Sequence, residues 1–123
     1  MAFLTRDEIL KAEPTLPREE VAVPEWGGSV LVWGLSGKDL DAHELSRQIP
    51  DPANKGKTIT NNINVRAAMC AECVRDESYV RLFTVADIVA LGEKSGVALT
   101  RIAEAAMRLN GKSTEAVEGI TKN

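Results

Sequence analysis

Two thiols three residues apart, in Cys70-Ala71-Glu72-Cys73, are the sharpest chemical signature in this chain. That spacing serves a redox pair or half of a zinc site. A structural zinc site takes four ligands, and here there are two Cys and one distant His43. A thioredoxin-type pair sits at a helix N-terminus, where the dipole lowers the thiol pKa. Here the pair falls deep in an expected helix, with Cys70 on its apolar stripe, so both read as free, core-filling thiols that bind no metal. His43 has no nucleophile elbow or orienting partner nearby in sequence, and reads as a partly exposed helix residue. Gly34-Leu35-Ser36-Gly37-Lys38-Asp39 lacks the four-residue gap and the hydroxyl after Lys that a phosphate loop needs. The carboxylate pairs Glu19-Glu20 and Asp39/Asp41 fall on expected surface elements, where charge is usually solvated. No enzyme signature and no cofactor site survives.

The elements that carry these residues follow from periodicity. Thr5-Arg6-Asp7-Glu8 has capping-box spacing and predicts a short helix to about Ala12, stopped by Pro14. Glu20–Val23 and Ser29–Trp33 are β-prone runs around Gly27-Gly28, which predicts a hairpin near residues 19–34. Ser36 opens a helix with Ala42, Leu45 and Ile49 as its apolar stripe and Leu40, His43 and Arg47 opposite. Residues 50–58 read as a mobile loop, too rich in Pro, Gly and Asn for anything else. A long helix is expected from Ile59 or Thr60 to Arg75, with Ile63, Ala67, Cys70 and Val74 inward. Tyr79–Phe83 reads as extended. Thr84 caps a short helix carrying Val85, Ile88, Val89 and Leu91. Ser95 caps another with Leu99, Ile102, Ala106 and Leu109 in a stripe, ended at Asn110-Gly111. A last turn or two of helix is expected from Ser113 or Thr114 to Gly119, then a flexible tail over 119–123. The predicted fold is a single α+β domain over residues 1–123, mainly α-helical, with an N-terminal β-hairpin packed against about five helices.

Composition narrows the function classes. The 123 residues carry 15 Lys plus Arg against 18 Asp plus Glu, a net charge of −3, so a nucleic-acid partner is not expected. No run reaches the 18 apolar residues of a membrane span, and the start lacks a signal peptide's pattern, which implies neither membrane nor export. Aromatics make up 4% of the chain, so the core rests on Ala, Val, Leu and Ile. Trp26 lies in a turn and Trp33 at a strand end, both awkward places to hide an indole; each either anchors an interface, as indoles commonly do, or folds back onto the helices. Ala103, Ala105 and Ala106 surround Met107 with small apolar residues that let another helix approach. Trp26, Trp33, Ile102, Ala106 and Met107 are therefore the candidate protein-interaction residues, and self-association is expected.

The order of these elements resembles the tail assembly chaperones of long-tailed bacteriophages and prophages. The likeness rests on Phe3-Leu4-Thr5-Arg6-Asp7-Glu8-Ile9-Leu10, on Val21-Ala22-Val23-Pro24-Glu25-Trp26-Gly27-Gly28-Ser29-Val30, and on Leu35-Ser36-Gly37-Lys38-Asp39-Leu40-Asp41-Ala42-His43-Glu44. Arg81-Leu82-Phe83-Thr84, Val89-Ala90-Leu91-Gly92-Glu93-Lys94-Ser95 and Ala106-Met107-Arg108-Leu109-Asn110-Gly111 extend it, with the loosest part at residues 48–64. The resemblance implies a non-enzyme of the host cytoplasm, absent from the finished virion, that binds the helical tape-measure protein until tail-tube subunits polymerise around it. Some members of that family also have a longer, frameshifted form that recruits the tube protein; Thr121-Lys122-Asn123 is either encoded by an A-rich slippery site of that kind or an ordinary exposed polar tail. The rival is a small virion structural protein, a tail completion or connector subunit.

Overall fold

Alternation of apolar and polar residues builds the N-terminal hairpin, β1 (Arg18–Val23) and β2 (Gly28–Trp33), in antiparallel register with Val21 opposite Val30 and Glu19 opposite Val32. The structure, a computed structural model, describes residues 2–13 and 15–111. Val21, Val23 and Val32 face the core, and the last two are fully buried. Between the strands Pro24–Trp26 make a 3-10 turn, and Gly27 completes it at φ 75°, the left-handed region that glycine enters without steric cost. Ahead of the hairpin, α1 (Arg6–Lys11) forms as its capping box predicts: Glu8 N–H donates to Thr5 Oγ1 at 3.2 Å, and Thr5 N–H donates to Glu8 Oε1 at 3.1 Å.

Against the hairpin packs α5 (Gly96–Leu109), and on α5 packs α3 (Val65–Cys73), whose following residue Val74 bridges to Val32 of β2. Their shared face is made of small residues: Ala67, Cys70 and Ala71 from α3, and Ala98, Ile102, Ala105 and Ala106 from α5, each at most 2% exposed. Small side chains let two helix axes come close and still fill the space between them. Ser95 caps α5 by accepting from Ala98 N–H at 3.2 Å. Asn110 ends it and then ties the helix to β2, accepting from Leu35 N–H at 2.7 Å and donating to Ala106 O at 2.7 Å. Gly34 sits where this tie is tightest. A Cβ there would come within 2.5 Å of the Pro17 ring and 2.7 Å of the Leu109 carbonyl oxygen.

The architecture is α+β and mainly helical, with five α-helices among the described residues: α1, α2 (Gly37–Ser46), α3, α4 (Ile88–Gly92) and α5. Several local readings give way to the tertiary structure. The long helix expected from residue 59 begins only at Val65, because Thr58–Thr60 are drawn into strand β4, paired with β3 (Gln48–Pro50). Asn64, at φ 55°, then redirects the chain, and Ile63 is 74% exposed rather than core. Breaker-rich residues 51–57 are the connection of this small hairpin, and its edges are strand rather than loop. In α2 the expected stripe is inverted: Leu45 is 74% exposed, while Asp39, Leu40, His43 and Arg47 turn inward. The helical turn expected after Ser113 and the flexible tail at 119–123 lie outside the described residues.

Candidate protein-interaction surface

One face of α5 builds the core and the opposite face stays open. The open stripe runs Val97, Thr100 and Arg101, Glu104, then Met107 and Arg108, at helical spacing. A shallow groove of about 330 Å³ lies at its start, lined by Gly96, Val97, Thr100, Arg101 and Glu104. The hairpin is clamped alongside this stripe by two ion pairs. Arg101 binds Glu25 through both carboxylate oxygens at 2.8 and 3.0 Å, and Arg108 binds Glu19 further along. The first pair brings the hairpin turn, and with it Trp26, beside the groove. The Glu25 carboxyl is held below its usual pKa by its hydrogen bonds to Arg101, so the clamp is ionised at neutral pH.

Of the five residues expected to meet a partner, two reach the surface. Trp26 is 36% exposed at the turn, and Met107 is half-buried on the open stripe. Trp33, Ile102 and Ala106 lie inside the chain. Ile102 and Ala106 are consumed by the α3–α5 contact. The Trp33 indole is covered by the turn after α3: its Nε1–H donates to Asp76 O at 3.0 Å, Tyr79 stacks edge-on at 5.3 Å, and the Arg18 guanidinium lies 5.2 Å from its ring. Sequence reasoning missed other apolar residues that remain outside. Val85, Val89 and Val97, from the turn before α4 through the first turn of α5, are each at least 65% exposed. So are Phe3, Leu4 and Leu10 around α1. The available signal was that the short helix has more apolar positions than one buried stripe uses.

A second constellation joins α2 to the end of α3. Arg75, 5% exposed, donates through Nη2 to Glu72 Oε1 at 2.8 Å and through Nη1 to Asp39 Oδ2 at 3.4 Å. Its guanidinium lies 4.1 Å from the Tyr79 ring. The Tyr79 hydroxyl donates to Asp39 Oδ2 at 2.6 Å and accepts from Ser36 N–H at 3.1 Å. Tyr79 holds φ 69°, a costly conformation for a non-glycine, fixed by Asp76, whose side chain accepts from Ser78 and Val80 N–H. His43 faces the same cluster beside Glu72; burial pushes its pKa down despite that carboxylate, and the neutral ring is favoured. The acids and bases here satisfy one another, and the arrangement fixes the first turn of α2 against the end of α3.

Cys70 and Cys73 are fully buried, and desolvation pushes their thiols up to about 11 and about 12. Neither is a thiolate at neutral pH, which matches core filling and opposes nucleophilic or ligand chemistry. No helix among the described residues is long and apolar enough to cross a membrane.

The family model described as phage tail assembly chaperone matches residues 5–120, nearly the whole chain. No match was found among curated proteins or among solved structures.

Proposed function

The chain belongs to the phage tail assembly chaperones, and from that premise we propose that it binds the tape-measure protein during tail morphogenesis. The observation that carries the reading is the open α5 stripe from Val97 to Met107, with Arg101 on it paired to Glu25 next to Trp26, together with the exposed Val85 and Val89. A long helical client with an apolar seam needs a surface into which a helix can settle. Gly96 and Thr100 in the groove offer low relief for that approach, and Val97 and Trp26 offer apolar contact. Many such weak contacts, repeated by many copies along one client, hold it through multivalency rather than through one tight site. Self-association of the chaperone belongs to the same reading, since a coat of copies raises local concentration.

The same role puts the protein in the host cytoplasm and leaves it out of the finished virion, acting without catalysis or cofactor. A longer product made by frameshifting near codons 121–123 would add the segment that recruits tail-tube subunits. Sequencing the gene checks this: an A-run and an overlapping frame support it, and the absence of either removes it.

Co-expression with the tape-measure protein tests the reading. The expected result is a soluble complex on size exclusion, weakened by Trp26→Ala and by Val97→Asp. A tape-measure protein equally soluble, or equally aggregated, with and without the chain overturns it. Mass spectrometry of purified particles separates the rival: a stoichiometric signal would make the chain a virion component instead.

A further inference from the structure

Residues 37–63 comprise α2, β3 and β4, with the strands paired to each other and tied back to the end of α2 through Arg47. Arg47 closes the unit: its Nη2 donates to Asn61 O at 2.7 Å and Ile63 O at 2.6 Å, and its carbonyl accepts from Asn61 N–H at 2.6 Å. Gln48 bridges to Thr58 and Thr60 through both ends of its amide. Toward the body the unit offers little. α2 buries no residue completely, every residue of β3 and β4 is exposed, and Leu40 is the residue of α2 packed against the core. What holds α2 down is the cluster at its first turn: Asp39 to Tyr79 and Arg75, and Ser36 N–H to the Tyr79 hydroxyl. Gly37 at the first position of the unit and Asn64, in the left-handed region just past its end, are its pivots.

We propose that residues 37–63 form a flap that opens as one unit from the α3–α5–hairpin body, with the Tyr79 hydroxyl on the Asp39 carboxylate as its latch. A region with few buried apolar contacts and exposed backbone hydrogen bonds opens at a free energy well below global unfolding. Opening separates Asp39 from Tyr79 and lifts Leu40 off the core, while the Arg47 and Gln48 ties inside the unit persist. Arg75 stays with the body, paired to Glu72 and stacked on Tyr79. The strained backbone of Tyr79 keeps the latch hydroxyl presented whether the flap is open or shut, because Asp76 holds that turn independently of α2. The opening is a property of the chain alone and does not depend on a client.

Amide hydrogen exchange under native conditions tests it on the whole protein. In the unaltered chain, α2 and residues 48–60 should exchange through one shared opening, faster than α5 and β2 and with weaker dependence on denaturant. Tyr79→Phe keeps the ring and removes only the hydroxyl. It removes the hydrogen bonds to Asp39 and from Ser36 N–H, and should accelerate exchange in α2 and 48–60 together, by at least about tenfold. Residues 98–106 of α5 should be unchanged. Asp39→Asn should act on the same amides. Exchange of α2 only through global unfolding in the unaltered chain overturns the proposal. So does acceleration of α2 without 48–60, or equal acceleration of α2 and α5 in either variant.

Discussion

Helices α3 and α2 are of nearly equal length, nine and ten residues, yet they are held in place by different physics. Helix α3 buries Ala67, Ala68, Cys70, Ala71 and Cys73, and its position is set by removal of apolar surface from water. Helix α2 buries none of its residues fully and is fixed at one end by hydrogen bonds and ion pairs. Burial is non-directional and spread over many contacts, so α3 moves only when the core comes apart. A polar attachment is directional and concentrated in two or three atoms, so α2 is exact in position and separable at modest cost. For a chain that must meet other proteins, this division gives a firm body and an adjustable margin.

The sharpest way to break the comparison is to strike the apolar side. Ile102, fully buried between α3 and α5, should cost about 2–5 kcal/mol as Ile102→Ala through lost transfer energy and the cavity left behind. Denaturant unfolding should show all probes, α2 included, shifting to lower midpoint together. Arg75→Ala strikes the junction between the two regions. It leaves Asp39 without its cation and Glu72 with Arg81 alone, at 3.5 Å, and about 3 kcal/mol of destabilisation is expected. Protection of α2 amides should fall further than that of α5 amides, and an equal fall would erase the distinction drawn here.

Acid sharpens it further. The Tyr79 hydrogen bond, aided by Arg75, holds the Asp39 carboxyl below its usual pKa against the opposing pull of burial. The stabilisation it gives is therefore present above the unfolded value of about 3.9 and lost as pH falls through the lower folded value. His43 adds an earlier step. Its folded pKa is depressed by burial, with Glu72 and Glu44 opposing and Arg47 and Arg81 assisting. The stability it contributes is complete above about 6.5 and is lost as pH falls through the folded value. Protection of α2, followed by exchange across pH 3–7 with intrinsic rates divided out, should decline in two steps while α5 stays protected longer. His43→Gln should remove the upper step. The smallest effect is expected at the thiols: Cys70→Ala should cost about 1 kcal/mol, and neither thiol of the unaltered chain should react with a thiol reagent at pH 8 before unfolding.

Legibility in sequence divides along the same line. Features that depend on neighbours a few residues away are readable: the caps at Thr5, Ser36 and Ser95, the turn at Gly27, the stop at Asn110-Gly111, and the buried stripe of α5. The inward face of α2 is not readable, because Asp39 and His43 turn inward for partners at positions 72, 75 and 79, which spacing within the helix cannot reveal. Hydrophobicity alone pointed to Leu45, and the tertiary structure chose the polar side. Strand β4 was hidden for a related reason: Thr58–Thr60 are as compatible with a helix start as with a short strand, and only Gln48–Pro50 decides. Trp33 looked like an anchor until the turn at 76–79, distant in sequence, closed over it. Within the candidate surface, Trp26 was legible as an indole in a turn and Met107 as an apolar residue on the small-residue helix. The stripe between them depends on Arg101 and Arg108 clamping the hairpin to one side of α5.

The central claim is that the client meets the open stripe of α5 and its neighbours while the α3–α5 core is untouched. Hydrogen exchange of the chain, free and in complex with co-expressed tape-measure protein, tests it most directly. The account predicts new protection over residues 24–27 and 85–101, where Trp26, Val85, Val89 and Val97 lie exposed, and no change at Ala67–Ala71 in the core. Protection absent from both exposed segments, in a complex that demonstrably forms, would contradict it.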